Sequence, residues 1–231
     1  MRPIVMNRIL VAATMLAGLC LPAAAQYSAP PNTGNHFKDT SMLKPPAGAK
    51  VAIIKFEDLE CPACAHADPI VHEAAEHYHI PIVRYDFPLR MHIWSRDAAI
   101  TARYLQDKVS PQVADEFRSA VFAAQTSIAS KDDLAAFTRR FFQQHKLNEP
   151  FVIDPSGRFA AEVQADYTLG ERIGISQTPT IWVIGPQSWV QVTDTNLLYS
   201  TIDNMESQVA QSTPGKPTAN SKLRHASTPK H

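Results

Sequence analysis

A short apolar run that leads into a pair of cysteines is the feature that most constrains the fold of this 231-residue chain. Residues 51–56 are almost all apolar and include two β-branched isoleucines, which predicts a buried strand. The motif Cys61-Pro62-Ala63-Cys64 follows, and a helical pattern begins at the motif itself. A strand that leads through Cys-x-x-Cys into a helix is typical of a site that exchanges thiols and disulfides.

The small number of cysteines indicates that this motif serves a redox reaction rather than stabilising the fold. The chain has three cysteines, and the third, Cys20, lies in a segment that we expect to be removed. A structural disulfide framework needs more cysteines at longer spacings, and a bridge that closes so short a loop adds little stability through chain entropy. The pair Cys61 and Cys64 is therefore better explained by redox chemistry.

Residues 1–25 have the pattern of a secretory signal peptide. A positively charged start precedes an apolar run, and small residues then precede a cleavage site before Gln26. A retained membrane anchor is one alternative, although the apolar run is short for a membrane span. A lipoprotein site at Cys20 is another, but Leu19 replaces the small residue typical of such sites. Export to the periplasm or another oxidising compartment suits a dithiol protein.

The rest of the chain divides into a leader, one domain and a tail. Residues 26–45 are rich in proline and predict an extended leader. Residues 46–210 are enough for one sizeable domain, with a helical insertion over residues 90–172. Residues 211–231 contain basic residues and no acidic ones, which predicts a disordered basic tail. The domain is mildly acidic and has no basic stripe, which argues against nucleic-acid binding.

Periodicity and turn residues predict a β-α-β unit, a helical insertion and a closing β-β-α unit. The first unit is expected to be right-handed. The helix after the cysteines contains Pro69, and Ser95 and Ser130 are predicted helix caps. The predicted strands are 51–56, 80–87, Thr180–Ile184 and 189–193, and the predicted helices are 61–78, 95–107, Pro111–Ala124, one that begins at 130, 156–172 and 196–210.

This pattern resembles the thioredoxin fold, and in particular the DsbA-like branch of thiol-disulfide oxidoreductases. The matching features are the Cys-x-x-Cys motif, Pro69 in the first helix, and Thr178-Pro179-Thr180 ahead of the third predicted strand. The helical insertion between the two halves resembles that branch rather than plain thioredoxin. The resemblance covers residues 46–210 and implies an α/β fold around a central mixed sheet.

Disulfide exchange needs a thiolate near neutral pH, and a helix N-terminus stabilises one with unpaired N–H groups and a positive dipole end. Cys61 opens the predicted helix, so we expect it to be the exposed attacking sulfur. Cys64 lies one turn further and is expected to resolve mixed disulfides. Pro62 suits the first turn of a helix. The resemblance implies that Pro62 and Ala63, between the cysteines, set an oxidising redox poise.

The resemblance also implies a cis peptide bond between Thr178 and Pro179. A cis bond there would turn the backbone of Thr178 toward the cysteines, where it could pair with an extended substrate peptide. Judged on the residues alone, a trans bond is the usual form before proline, and Pro179 could simply start a strand.

Lys55 departs from the family pattern, because relatives usually place an acidic residue at this position beneath the active site. A buried Lys55 would favour a thiolate at either cysteine, and the alternative is that its side chain extends outward to solvent. Glu57, Asp58 and Glu60 would oppose thiolate formation if they pointed inward. We expect them instead to form a solvated acidic loop.

Together these features predict an exported thiol-disulfide oxidoreductase that exchanges its Cys61–Cys64 disulfide with folding exported proteins and needs no metal or organic cofactor. The resemblance implies reoxidation by a membrane quinone-linked thiol oxidase. One alternative is a disulfide isomerase or reductase that a partner keeps reduced. Isomerases of this superfamily commonly carry an N-terminal dimerisation module, and the predicted leader of residues 26–45 is short for such a module. The other is a Cu- or Zn-binding chaperone that adds a histidine, such as His66 or His72, to the cysteines.

Overall fold

The structure is a computed structural model that describes residue 37 and residues 40–212. The predicted signal peptide at residues 1–25, most of the predicted leader and nearly all of the predicted basic tail lie outside the described residues, and they stay predictions. None of the helices in the described part is long and apolar enough to cross a membrane.

The described residues form a mixed α/β structure in the predicted order of β-α-β, helical insertion and β-β-α. Element boundaries differ from the predicted ones by a few residues, and α6 ends at Ser212 rather than 210. The strands are β1 (Ala52–Glu57), β2 (Ile82–Asp86), β3 (Thr180–Ile184) and β4 (Trp189–Val192). The helices are α1 (Pro62–Tyr78), α2 (Ser95–Lys108), α3 (Pro111–Ala124), α4 (Lys131–Gln144), α5 (Arg158–Ile173) and α6 (Leu198–Ser212).

The strand that leads to the cysteines is an inner strand of the sheet, whose order is β2-β1-β3-β4. β1 runs parallel to β2 and antiparallel to β3, and β4 pairs antiparallel with β3. All six residues of β1 are buried. Burial on both faces explains its almost continuous apolar sequence and makes its two charged residues, Lys55 and Glu57, exceptional.

The described end of the predicted extended leader is not extended. Thr40–Met42 forms a short 3-10 helix, and Leu43 is buried against the sheet. The indole N–H of Trp189 in β4 donates to Oγ1 of Thr40 at 3.1 Å, and the ring of Phe37 packs edge-on against Trp182. The packed domain therefore begins several residues before the predicted boundary at 46, because apolar side chains there cover one face of the sheet.

The core of the described residues consists of three hydrophobic clusters. One covers the face that carries Ile53 and packs against α1 and α6, and another covers the face that carries Ile54 and packs against α5. The third fills the helical insertion, and it includes Trp94 together with both Cys61 and Cys64. The cysteine motif therefore lies where the insertion meets the sheet.

The two predicted serine caps have different outcomes. Ser130 does cap α4, because its Oγ accepts the N–H of Asp133 at 3.1 Å and donates to the Asp133 carboxylate at 2.7 Å. Ser95 does not cap α2, of which it is the first residue. Instead Oε2 of Glu60 accepts the N–H groups of Trp94 and Ser95 at 2.7 and 3.0 Å. A distant carboxylate thus replaces the local cap.

Candidate redox site

Both cysteines of the motif are free thiols at the N-terminus of α1. Cys61 is the N-cap residue, and Pro62 is the first helical residue, where its missing N–H costs no hydrogen bond. Cys61 is 6% exposed and Cys64 is fully buried. The expectation that the attacking sulfur is exposed is therefore wrong, because the insertion and a later loop pack around Cys61. It is still the more accessible thiol of the pair.

The two thiols have opposite pKa shifts. A hydrogen bond from the Cys64 thiol is the main cause that lowers the pKa of Cys61 to about 6, against the opposing effect of burial. Thr178 and the N–H groups at the start of α1 lower it further. Burial raises the pKa of Cys64 well above its usual range. Near neutral pH, Cys61 is therefore the thiol that ionises, while Cys64 stays a thiol.

These shifts predict which thiol of the reduced protein reacts and at what pH. We expect iodoacetamide to modify Cys61 first, with a rate that rises through a midpoint near pH 6 and levels off above it. Alkylation rates across a pH series, with the modified residue identified by peptide mass spectrometry, measure both quantities. Earlier modification of Cys64, or a midpoint near that of a free cysteine, would contradict the assignment.

The loop before β3 lies directly against the nucleophile. α5 is followed by Gly174, whose φ of 100° suits glycine and ends the helix. The chain then reaches the Thr178–Pro179 bond, which is cis, as the resemblance implied. Sγ of Cys61 donates to the carbonyl oxygen of Thr178 at 3.3 Å. The hydroxyl of Thr178 is buried and makes no hydrogen bond.

Lys55 points inward, and the alternative of an outward, solvated side chain is wrong. It is fully buried, and its Nζ lies 2.8 Å from carboxylate oxygens of both Glu57 and Asp68. Burial alone would lower the pKa of Lys55, but the two carboxylates outweigh it and raise the pKa. The resulting ammonium acts on Cys64, since its charge partly offsets the effect of burial on the pKa of that thiol.

A buried ion-pair network continues from Lys55 through Glu57 to Arg118 and Asp86. Burial would raise the pKa of Glu57, but Lys55 and Arg118 lower it to about 2. Arg118 of α3 donates to Glu57 at 3.0 Å and to both oxygens of Asp86 at 2.6 and 3.1 Å. The expected solvated acidic loop is therefore wrong for Glu57, because cations inside the protein compensate its charge.

Asp58 and Glu60 are also structural rather than solvated. The carboxylate of Asp58 is buried, accepts the N–H groups of Glu60 and Leu89 at 2.7 and 2.6 Å, and lies 2.7 Å from Nδ1 of His92. Glu60 caps α2 through its carboxylate. The expectation of a solvated loop is thus wrong for both. These contacts fix the segment before Cys61, and they include His92, to which the sequence assigned no role.

The arrangement of the histidines is relevant to the metal-chaperone alternative. His66 is exposed on α1, whereas Nε2 of His72 lies 2.6 Å from the guanidinium of Arg84. Within residues 40–212 and at residue 37, no group of three or more His, Cys, Asp or Glu side chains is placed to hold a metal ion.

Comparison with known proteins yields a family match and several structural likenesses. A family model described as Thioredoxin matches residues 40–203. No curated protein sequence matches the chain significantly. The chain is similar to oxidised BdbD from Bacillus subtilis, with a TM-score of 0.58 and 18% identity over 71% of this chain and 90% of that one.

Two further solved structures extend the likeness. The thiol-disulfide exchange protein α-DsbA2 from Wolbachia pipientis aligns with a TM-score of 0.56 and 17% identity, over 70% of this chain and 85% of that one. The catalytic domain of ScsC from Proteus mirabilis aligns with a TM-score of 0.55 and 15% identity, over 70% and 86%. At these identities the likeness concerns the fold.

Proposed function

The chain belongs to the thioredoxin family, and from this premise we propose that it is an exported thiol-disulfide oxidoreductase that oxidises cysteine pairs of other exported proteins. The observation that carries the proposal is the contrast at one helix N-terminus between Cys61, with a pKa of about 6, and Cys64, with a raised pKa. A thiol that leaves easily, beside one that stays protonated, suits disulfide donation.

The proposed reaction moves two electrons from a substrate dithiol to the protein disulfide. A substrate thiolate attacks Cys61 in the Cys61–Cys64 disulfide, the bond between the two cysteines breaks, and Cys64 leaves and takes up a proton. The second substrate thiol then loses its proton and attacks the substrate sulfur of the mixed disulfide. Cys61 leaves as a thiolate, and the substrate keeps the new disulfide. No metal or organic cofactor takes part in these steps.

We propose that the substrate segment lies along Thr178 and Pro179. The carbonyl of Thr178 is within hydrogen-bond distance of the Cys61 sulfur, so a peptide beside this loop would bring its cysteine to the nucleophile. An extended peptide can pair with exposed backbone in this way as an added strand. Reoxidation by a membrane quinone-linked thiol oxidase would complete the cycle.

A direct test is refolding of a reduced, unfolded disulfide protein such as ribonuclease A. We expect stoichiometric amounts of the oxidised mature protein to restore ribonuclease activity. A variant with both Cys61 and Cys64 replaced by serine is the matched control and should restore none. Failure of the oxidised protein to transfer its disulfide would refute the proposal. Catalysed reduction of insulin disulfides without such transfer would support the reductase alternative.

The proposal also predicts how stability depends on redox state. A stabilised Cys61 thiolate favours the reduced form, while the short disulfide loop adds little stability to the oxidised form. We expect the reduced protein to unfold at a higher urea concentration than the oxidised protein at pH 7. Because the pKa of Cys61 is lowered from 9.0 to about 6, its contribution is complete above pH 9 and is lost as the pH falls through 6.

Urea unfolding of both forms at pH 5, 7 and 9 measures this dependence. The difference between the reduced and oxidised midpoints should grow with pH across this range. A protein with serine at both cysteine positions controls for the pH dependence of the rest of the chain. A more stable oxidised form at pH 7 would indicate a reductant and favour the isomerase or reductase alternative.

A further inference from the structure

We infer that Gln125, a residue of the helical insertion, is a positioning residue for the Cys61 nucleophile. It acts through the backbone of Cys61 and does not contact the reacting atoms. The inference rests on the proposed function, since it concerns the nucleophile of that reaction. With this role for Gln125, the helical insertion affects the reactivity of the active site as well as covering it.

The side chain of Gln125 binds two backbone carbonyl groups, those of Leu59 and Cys61, which lie on either side of Glu60 in the sequence. Its Nε2 donates to the carbonyl oxygen of Leu59 at 2.8 Å and to that of Cys61 at 3.1 Å. The carbonyl of Cys61 also accepts the first hydrogen bond of α1, from the N–H of Ala65 at 3.1 Å. Gln125 thus occupies the second lone pair of that oxygen.

A closed ring of hydrogen bonds holds Gln125 itself in place. The N–H of Ile128 donates to the Gln125 carbonyl at 3.1 Å, and the indole N–H of Trp94 donates to the Ile128 carbonyl at 3.1 Å. The backbone N–H of Trp94 donates in turn to the carboxylate of Glu60, next to Cys61, at 2.7 Å. The ring joins the cysteine segment, the start of α2 and the turn after α3.

This ring determines where the Cys61 sulfur lies relative to its stabilising donors. Fixing the carbonyl of Cys61 from two sides fixes the peptide plane between Cys61 and Pro62, and with it the backbone of the N-cap. Stabilisation of a thiolate by helix N–H groups requires that those groups point at the sulfur. A carbonyl released on one side lets the N-cap residue rotate, so the thiolate loses part of its stabilisation.

The test is Gln125→Met in the mature, reduced protein, because methionine keeps the length of the side chain and removes the donor. We expect the midpoint of the alkylation profile of Cys61 to rise by about half a pH unit, which slows alkylation about threefold below the midpoint. Gln143→Met, on an exposed position of α4, is the matched control and should leave the midpoint unchanged. A side chain with a purely structural role would change stability without moving this midpoint.

Trp94→Phe provides a second test, because it removes the indole N–H that donates to the Ile128 carbonyl in the same ring of hydrogen bonds. It should shift the midpoint in the same direction by a smaller amount. The inference is overturned if folded Gln125→Met titrates like the wild type, or if Gln125→Met does not fold and Trp94→Phe titrates like the wild type. Failure of the wild type to oxidise substrates, with the Gln125→Met shift present, would refute the proposed function alone.

Discussion

Cys64→Ser is expected to abolish disulfide donation and to accumulate mixed disulfides between Cys61 and exported proteins. The variant cannot form the internal disulfide, so it has no group that can accept two electrons from a substrate dithiol. A mixed disulfide at Cys61 loses Cys64 as an internal resolving thiol of very high effective concentration. Adducts whose bound protein offers no second thiol beside the mixed disulfide should therefore be released at least about a thousandfold more slowly. Non-reducing gels of cells that express the variant should show slower-moving adducts that vanish with reductant.

Cys61→Ser is the matched control for this experiment. It keeps one thiol, Cys64, which is fully buried and has a raised pKa. We therefore expect it to form few or no adducts, although it carries the same number of cysteines. Equal trapping by both variants would show that Cys61 has no special reactivity. Absence of adducts from folded Cys64→Ser would count against exchange with proteins.

The parts of the site that could be predicted from sequence are the ones set by neighbouring residues. An apolar run, a Cys-x-x-Cys and a helical pattern follow one another directly, so the strand, the start of the helix at Cys61 and the place of Cys64 one turn further along were predictable. The cap of α2 was not, because the local rule favours Ser95 while the carboxylate that caps the helix belongs to Glu60. Two residues separated by more than thirty positions carry no local signal of contact.

The charged interior was missed for a related reason. A strand buried on both faces has no alternation that tells whether Lys55 and Glu57 point inward, and Arg118, the ion-pair partner of Glu57, lies on a distant helix. One signal was available. Asp68 follows Cys64 by four residues, and it therefore lies on the buried face of α1 that Cys64 and Val71 share. A carboxylate on that face requires a buried cation, and Lys55 is the nearest candidate in the preceding strand.

Lys55→Met is expected to lower the free energy of unfolding more than any other substitution proposed for this protein. Methionine keeps the volume but removes the ammonium, so Asp68 loses its 2.8 Å ion pair while it remains buried. Loss of one partner from a buried pair typically costs about 3 kcal/mol of unfolding free energy. Glu57 keeps Arg118, so most of the cost comes from Asp68. The loss of a positive charge should also raise the pKa of Cys64 further and slow its attack on mixed disulfides.

The double variant Lys55→Met/Asp68→Asn separates this explanation from a loss of packing. If the loss comes from a buried Asp68 carboxylate that keeps only the Ser119 hydroxyl and the more distant His72 ring as polar neighbours, the neutral amide should recover part of the stability, and the two substitutions will not be additive. Urea unfolding at pH 7 measures each variant. Lys131→Met is the control, because its 63% exposed side chain pairs with Asp97 at the surface and should change the free energy by less than about 0.5 kcal/mol. A double variant less stable than Lys55→Met would show that the charge of Asp68 is tolerated alone and that Lys55 stabilises the site by packing.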